Sequence, residues 1–392
     1  MPDGRQFPAP IGAYPQPRNR MRHRAGRWPC VRGVRMESLP LGMMAGLIGV
    51  VTGCVLGLAA RFGGFGTLSA LRAAVEMGDQ RRVRLWGIVC GTAIIATFML
   101  DSIGFVRIAA TPWHSIAWVP VASVAGGIFF GYGMALAGSC GFEALVRAGA
   151  GDLRALVIVA IIGISASALQ TGPLSDLRAL LVPETPAGVP QGAAHWMATG
   201  FPMSPFFFAT MIGAVLIASA LAYAPLRQSP GRILWGASVG LAVAFCLAGT
   251  TWLNGRTGGV VPVDGPGFSL PLGKAMLYLM APADYGAMLS AGLVAGVLAG
   301  AFAGAVFRGF FRAHHAEANP SLGRMASGAV MMGIGAGLAL GDPIGQGISG
   351  MATLAWSAPV MILSCLAGCF LGRRWLLDYD YRDPNQSELE AA

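Results

Sequence analysis

The sequence predicts an all-α polytopic membrane protein with about nine transmembrane helices and several short re-entrant helices. Three values predict this class: 11% of the residues are charged, 55% are hydrophobic, and the mean hydropathy is +0.61. A soluble domain carries about 25% charged residues, because its surface faces water. A 392-residue chain with less than half that share is expected to be covered by a lipid bilayer.

Glycine accounts for 57 residues, and lysine occurs once, at Lys274. Small residues let membrane helices approach backbone to backbone. The net charge of +9 does not indicate nucleic-acid binding, since the arginines lie between apolar runs and in an N-terminal cluster. The seven cysteines show no CxxC or zinc spacing, so the sequence predicts neither a disulfide framework nor a metal site nor a cofactor.

Residues 1–38 differ from the rest of the chain, with eight arginines and no apolar run long enough to span a membrane. This composition predicts a disordered basic tail, and Met36 is an alternative start position for translation. No secretory signal is predicted, because no short apolar core with a cleavage site follows the basic residues.

Nine apolar segments follow, each of about 18 to 22 residues, which at about 1.5 Å per residue suffices to cross about 30 Å of hydrocarbon. They cover residues 41–60, 84–103, 118–138, 153–170, 205–224, 231–250, 285–307, 323–341 and 354–372.

Basic residues predict the orientation of these segments, because cytoplasmic connections are enriched in arginine and lysine. With the tail set aside, alternate connections carry fifteen basic residues on one side and four on the other. The richer side includes residues 373, 374 and 382, so we expect a cytoplasmic C-terminus.

An internal repeat is predicted from residues 202 positions apart. Gly126, Gly131, Gly133, Leu136 and Ala137 recur as Gly328, Gly333, Gly335, Leu338 and Ala339. Four spans on each side of a single linking span would make the two halves inverted, a recurring transporter design. The predicted organisation is therefore repeat 1 at 39–172, a linker with one span at 173–230, repeat 2 at 231–374 and a cytoplasmic tail at 375–392.

Four glycine-rich connections contain short apolar helices that cannot span, which is typical of re-entrant loops. We name them loop 1 (61–78), loop 2 (139–152), loop 3 (251–281) and loop 4 (341–353). The predicted topology brings loops 1 and 2 in from the cytoplasm and loops 3 and 4 from outside, to meet near the midplane. Irregular backbone at that depth is packed in protein or lines a cavity.

Loop 2 holds the leading site candidates, Ser139, Cys140 and Gly141, at the start of a short helix. Unpaired N–H groups and the positive end of the helix dipole favour an anion there. Cys140 is equally compatible with a small buried packing residue. Glu143 and Arg147, four residues apart, are expected to pair on this helix.

Loop 4 contributes Gly341, Asp342 and Gly345 to the predicted lining. Asp342 before a proline is typical of a helix N-cap, and this interpretation is favoured over a role in binding. His114 and His195, close to tryptophans in outside connections, are interpreted as interfacial anchors.

The stretches "FGYGMALAGSCGFEALVRAGAGDLRALVI" and "MGIGAGLALGDPIGQGISGMATLA" resemble the two signatures of the YeeE/YedE family of bacterial inner-membrane proteins, a sulfur-transport family. The resemblance extends loosely over residues 41–372. It implies nine spans with re-entrant loops and a narrow central path, through which cysteines relay thiosulfate inward. It also implies that a TusA-like sulfur carrier sometimes handles sulfur on the cytoplasmic side.

The thiosulfate members of that family place one cysteine in each of three loops. Of these positions only Cys140 is a cysteine here, since Gly66 and Asp342 stand at the other two. A three-thiol relay is therefore not expected, and a related sulfur or selenium anion is also compatible with the sequence.

Two functions remain open from the sequence. The first is a permease or channel for a small sulfur-containing anion. The second is a membrane subunit that carries no solute and docks a cytosolic sulfur carrier or a redox partner. Arg81, Arg82 and Arg84 are available for such docking, and they are equally compatible with a topology signal. No Walker A, HExxH or GxSxG motif is present, so an enzyme is not predicted.

Overall fold

The computed structural model describes residues 39–76, 78–183, 185–280, 285–307 and 321–382, so the predicted tail at 1–38 lies outside it. Most of the described chain is α-helical. The helices are α1 (Leu39–Gly63), α2 (Thr67–Glu76), α3 (Arg81–Ser102), α4 (Pro112–Ser115), α5 (Pro120–Ala137), α6 (Gly141–Gly149), α7 (Leu153–Gln170), α8 (Ser175–Leu181), α9 (Ala193–Gly200), α10 (Pro205–Leu221), α11 (Ala224–Arg227), α12 (Pro230–Arg256), α13 (Ser269–Met280), α14 (Tyr285–Phe307), α15 (Leu322–Ala339) and α16 (Ser357–Arg382).

Each predicted span coincides with a long helix: α1, α3, α5, α7, α10, α12, α14, α15 and α16. In the described part of the chain, seven helical stretches are long and apolar enough to cross a membrane. The all-α polytopic membrane fold is thereby confirmed. The count of nine spans and the inverted repeat stay predictions.

Several of these helices begin where proline predicts it. Pro120, Pro205 and Pro230 occupy the first turns of α5, α10 and α12, where the missing N–H costs no hydrogen bond. At the other end of α5, Gly138 is left-handed with φ +71°, which stops the helix directly before loop 2.

Helices α1 and α14 pack through facing glycines. Those of α1 lie against the backbone of α14, and those of α14 lie against the backbone of α1; they are Gly49, Gly53, Gly57, Gly292, Gly296 and Gly300. A methyl group added at any of them would overlap the facing main chain. The four-residue glycine spacing thus allows the two backbones to touch.

Helices α5 and α15 cross in the same manner at the glycines that the 202-residue comparison singled out. Gly126 faces Gly335, and Gly133 faces Gly328; a Cβ added at any of the four would lie 2.5–2.7 Å from the carbonyl oxygen of its partner. Residue 126 therefore meets the counterpart of residue 133, and residue 133 meets the counterpart of residue 126.

The four glycine-rich loops each contain a short helical segment. Loops 1, 2 and 3 contain α2, α6 and α13, and loop 4 contains a π-helical turn at Gly345–Gly350. All six residues of that turn are buried. Such turns occur mostly as single units, frequently at functional sites.

Candidate functional site

Loops 1 and 2 are joined by the carboxylate of Glu143. Its Oε1 accepts a hydrogen bond from the N–H of Ser69 in α2 at 2.9 Å, and its Oε2 accepts one from the N–H of Cys140 at 3.5 Å. In return the N–H of Glu143 donates to Sγ of Cys140 at 3.4 Å, which completes a capping box at the start of α6. The predicted anion-binding helix start thus already holds an anionic group of the protein itself.

Gly66 lies directly against this carboxylate. A Cβ added at position 66 would overlap Oε1 of Glu143 and would come within 2.7 Å of Oγ of Ser69. Gly141 is roomier, since an added Cβ would meet its nearest neighbour, Ile162, at 3.5 Å. Position 66 therefore excludes any side chain while Glu143 keeps its place.

The expected pairing of Glu143 with Arg147 is wrong. Arg147 instead forms an ion pair with Asp152, with Nη2 and Oδ2 2.6 Å apart. Burial alone would raise the pKa of the Asp152 carboxyl, but the hydrogen bonds and the charge of Arg147 outweigh it and hold this pKa below its usual value. Arg147 therefore binds Asp152 at the end of loop 2, and Glu143 binds Ser69 of loop 1 instead of Arg147.

Loops 3 and 4 are joined by the carboxylate of Asp342, which is 3% exposed. Its Oδ1 accepts from the N–H groups of Ile344 and Gly345 at 3.1 and 2.7 Å, which is the N-cap geometry. Its Oδ2 accepts from the N–H groups of Phe268 and Ser269 at 2.8 and 2.7 Å. The hydroxyl of Ser269 adds a fifth hydrogen bond at 3.1 Å. One carboxylate therefore caps its own segment and the start of α13.

A cavity of about 250 Å³ opens beside this junction. Loop 3 supplies Asp264, Phe268 and Lys274 to its lining, and loop 4 supplies Asp342. Cys246 of α12 also faces it. Concave sites lined by apolar groups and a few converging polar groups are the usual form of small-ligand sites.

An aromatic cluster, defined as Phe65, Phe142 and Phe268, connects the two pairs of loops. The ring centroids of Phe65 and Phe142 are 6.0 Å apart, and those of Phe142 and Phe268 are 4.9 Å apart. Their exposed fractions are 4%, 2% and 0%. One end of this cluster therefore borders the cavity and the other belongs to loop 1.

The predicted site residues fall into two groups. Gly341, Asp342 and Gly345 line the cavity. The other four belong to the junction of loops 1 and 2 and are absent from this lining: Gly66, Ser139, Cys140 and Gly141. Ser139 is 2% exposed, and its hydroxyl has no hydrogen-bond partner among the described residues.

Sequence reasoning missed the cavity residues Cys246, Asp264, Phe268 and Lys274. The single lysine in a membrane chain is itself a signal that could have found Lys274. Asp264 lies in the glycine- and proline-rich part of loop 3.

His114 is not an interfacial anchor, because it is 2% exposed. Its Nε2 lies 3.1 Å from the carbonyl oxygen of Thr353 in loop 4, and its ring centroid lies 5.6 Å from that of His195. Burial, with the neighbouring His195 as a second cause, lowers the pKa of His114 to about 4. His114 thus acts as a neutral support of loop 4.

The all-α fold with its long apolar helices defines a polytopic membrane protein. The profile of the Sulphur transport family matches residues 62–371. The chain belongs to this family, which is the YeeE/YedE family indicated by the two glycine-rich stretches. It is also 25% identical over 327 residues to a thiosulfate transporter, TsuA, of Spirochaeta thermophila, covering 79% of this chain and 92% of that protein.

Proposed function

We propose that this protein is a permease for a small sulfur-containing anion such as thiosulfate. The anion enters the cavity between loops 3 and 4, passes the aromatic cluster and leaves by loops 1 and 2. The observation that carries the proposal is the cavity itself, because it holds the single lysine of a Sulphur transport family member. The named function of the TsuA relative supports a sulfur oxyanion as substrate.

Lys274 is the group that attracts the anion. The ion pairs of the described residues do not include Lys274. Asp342, in contrast, accepts hydrogen bonds from five protein donors. A cation that forms no ion pair among the described residues and faces a cavity can attract anions from the adjoining solution.

Ser139, Cys140 and Gly141 form the far contact of the path. The hydroxyl of Ser139, which has no hydrogen-bond partner among the described residues, is a buried donor beside the Cys140 thiol, and a passing oxyanion would accept a hydrogen bond from it. Reaching this point requires the aromatic cluster to move, so the structure corresponds to a closed state in this proposal.

The crossed glycine contacts of α5 and α15 support an inverted repeat. A two-fold axis between two halves makes residue i of one half meet the counterpart of residue j, and residue j meet the counterpart of residue i. The pairs 126 with 335 and 133 with 328 obey this rule for the 202-residue offset. Repeats at 39–172 and 231–374, nine spans, and an inner-membrane protein with a cytoplasmic C-terminus complete the proposal.

A docking function for the arginines of loop 1 has less support. Nη1 of Arg84 donates to the carbonyl oxygen of Ser219 at 2.8 Å. Nε of Arg81 lies 3.8 Å from Oδ1 of Asp79. Both guanidinium groups thus already have partners within the chain. A TusA-like carrier, if it accepts sulfur from this protein, would do so at loops 1 and 2.

Uptake into liposomes tests the proposal. Reconstituted full-length protein should take up radiolabelled thiosulfate. Lys274→Met should raise the half-saturating concentration of thiosulfate. Lys274→Arg, which keeps the charge, should have a half-saturating concentration close to that of the wild type. Cys140→Ser should slow uptake, and a full rate would assign Cys140 to packing. If thiosulfate, sulfite and sulfide all fail to enter, the permease proposal is overturned and the docking subunit is favoured.

A further inference from the structure

The cavity contains a second acidic group, Asp264, that the permease proposal does not use. Its backbone is fixed to α12, because its N–H and its carbonyl oxygen both bond to Oγ1 of Thr250, at 3.3 and 2.9 Å. Its carboxylate lines the cavity. Among the described residues, the hydrogen-bond partner of that carboxylate is the N–H of Gly265, which donates to Oδ1 at 2.9 Å.

Asp264 and Asp342 differ in how the protein compensates their charge. Asp342 receives five hydrogen bonds that occupy both of its oxygens, so its negative charge is stabilised within the fold. Asp264 has one such bond in the described chain and otherwise faces the cavity. An ionised carboxylate in this position repels an entering anion and competes with it for the charge of Lys274.

The net charge of the cavity determines whether it attracts or repels an anion. The ionisable groups that face Asp264 are Lys274 of α13, Asp342 of loop 4 and the thiol of Cys246. With both carboxylates ionised the cavity carries one positive and two negative charges, which disfavours an entering anion. With Asp264 protonated the cavity is neutral, and Lys274 is free to attract the anion.

We propose that Asp264 binds a proton together with the anion, so that anion binding in the cavity is coupled to proton uptake. This inference rests on the proposed function and names its coupling ion. Each binding event places one proton on Asp264, and the anion keeps its own charge. Release of both on the far side would make the protein a proton–anion symporter.

The environment of the carboxyl supports this role. Burial raises the pKa of Asp264 to about 6, although the charge of Lys274 and the Gly265 N–H act in the opposite direction. The group therefore changes protonation close to neutral pH. An arriving anion favours the protonated form further, by linkage.

Binding measured against pH tests the coupling. Thiosulfate is the suitable probe, because it is the anion of a strong acid and stays doubly charged between pH 5 and 8. Uptake by reconstituted wild-type protein should have a half-saturating concentration that rises with pH above the pKa, by at most about tenfold per pH unit for one proton. Asp264→Asn, which cannot ionise, should bind tightly with no pH dependence in this range.

Two further measurements separate coupling from folding effects. Adding thiosulfate outside lightly buffered proteoliposomes should alkalinise the outer medium for the wild type and not for Asp264→Asn. Lys274→Met should shift the pH dependence of uptake to higher pH, because the lysine charge lowers the pKa of Asp264 and its loss raises that pKa. Uptake without pH dependence, or an Asp264→Asn profile equal to the wild type, overturns the coupling and leaves the permease intact. No uptake by any variant at any pH overturns the permease itself.

Discussion

Loops 1 and 2 and loops 3 and 4 are each joined by one carboxylate from the second loop of the pair, yet the two junctions differ in strength and surroundings. Glu143 accepts two backbone hydrogen bonds, at 2.9 and 3.5 Å, beside a buried thiol. Asp342 accepts five hydrogen bonds beside an open cavity. The comparison shows that the junction with more hydrogen bonds is the one that borders the cavity, where backbone N–H groups without a protein acceptor would be open to water.

The largest expected effect comes from removing the stronger carboxylate. Asp342→Ala leaves five donors without their acceptor, and each unsatisfied buried donor costs about 1–3 kcal/mol. We expect the free energy of unfolding, measured by SDS titration in mixed micelles, to fall by at least about 3 kcal/mol. Glu143→Ala, with two donors affected, is the matched comparison and should cost clearly less. An equal or larger cost for Glu143→Ala would contradict the ranking of the two junctions.

An intermediate effect is expected from Gly66→Cys, which installs the cysteine that the family resemblance places in loop 1. The new Cβ overlaps the Glu143 carboxylate, so we expect a loss of about 1–3 kcal/mol, as for other overpacked sites. Gly323→Cys, where an added Cβ meets nothing within 4 Å, is the control. Glu143→Ala should relieve part of the loss in the double variant; additive losses would show that Glu143 is not the obstacle.

The smallest effect, taken over a single pH unit, is a pH dependence of stability that comes from His114 of α4, which contacts loop 4. The pKa of His114 is lowered to about 4, so between that value and about 6.5 the unfolded chain binds more protons than the folded one. Stability is therefore fully present above about pH 6.5 and falls, by at most about 1.4 kcal/mol per unit, as the pH drops. Thermal midpoints of His114→Gln should lack this slope.

Asp264 has to be removed before that slope is measured. Its pKa is raised rather than lowered, so its ionisation destabilises the folded protein as the pH rises toward about 6, opposite in sign to the effect of His114. The protein with His114 and the His114→Gln variant should therefore be compared in an Asp264→Asn background. An unchanged slope in His114→Gln there would show that another group titrates.

The sequence was sufficient for the helices and for the position of the short segments, because both follow from local runs of apolar residues, glycine and proline. Cys140 at the start of α6 and Asp342 as an N-cap were predictable for the same reason. The bonds from Ser69 to Glu143 and from Phe268 to Asp342 were not, since each joins residues 74 positions apart. Local patterns carry no information on which loop a carboxylate reaches.

Lys274 and Asp264 show a second limit. A count of basic residues treats every lysine in a connection as a marker of topology. Whether its ammonium group faces water or a cavity depends on where loop 3 folds back, and this is decided by Thr250 and Asp342, which lie outside its own stretch of sequence. Charge in a membrane chain therefore has to be read together with the packing around it.

The aromatic cluster has a bioenergetic consequence. Three phenyl rings with almost no exposed surface offer neither hydrogen bonds nor room for a continuous file of water, and such constrictions dewet. Protons and small ions then find no hydrated route across the proposed path while it is closed. Each charge that leaked through would dissipate about 2.3 kcal/mol per 100 mV of membrane potential. A cell could thus keep many idle copies of this protein in its membrane without discharging the gradient that drives uptake.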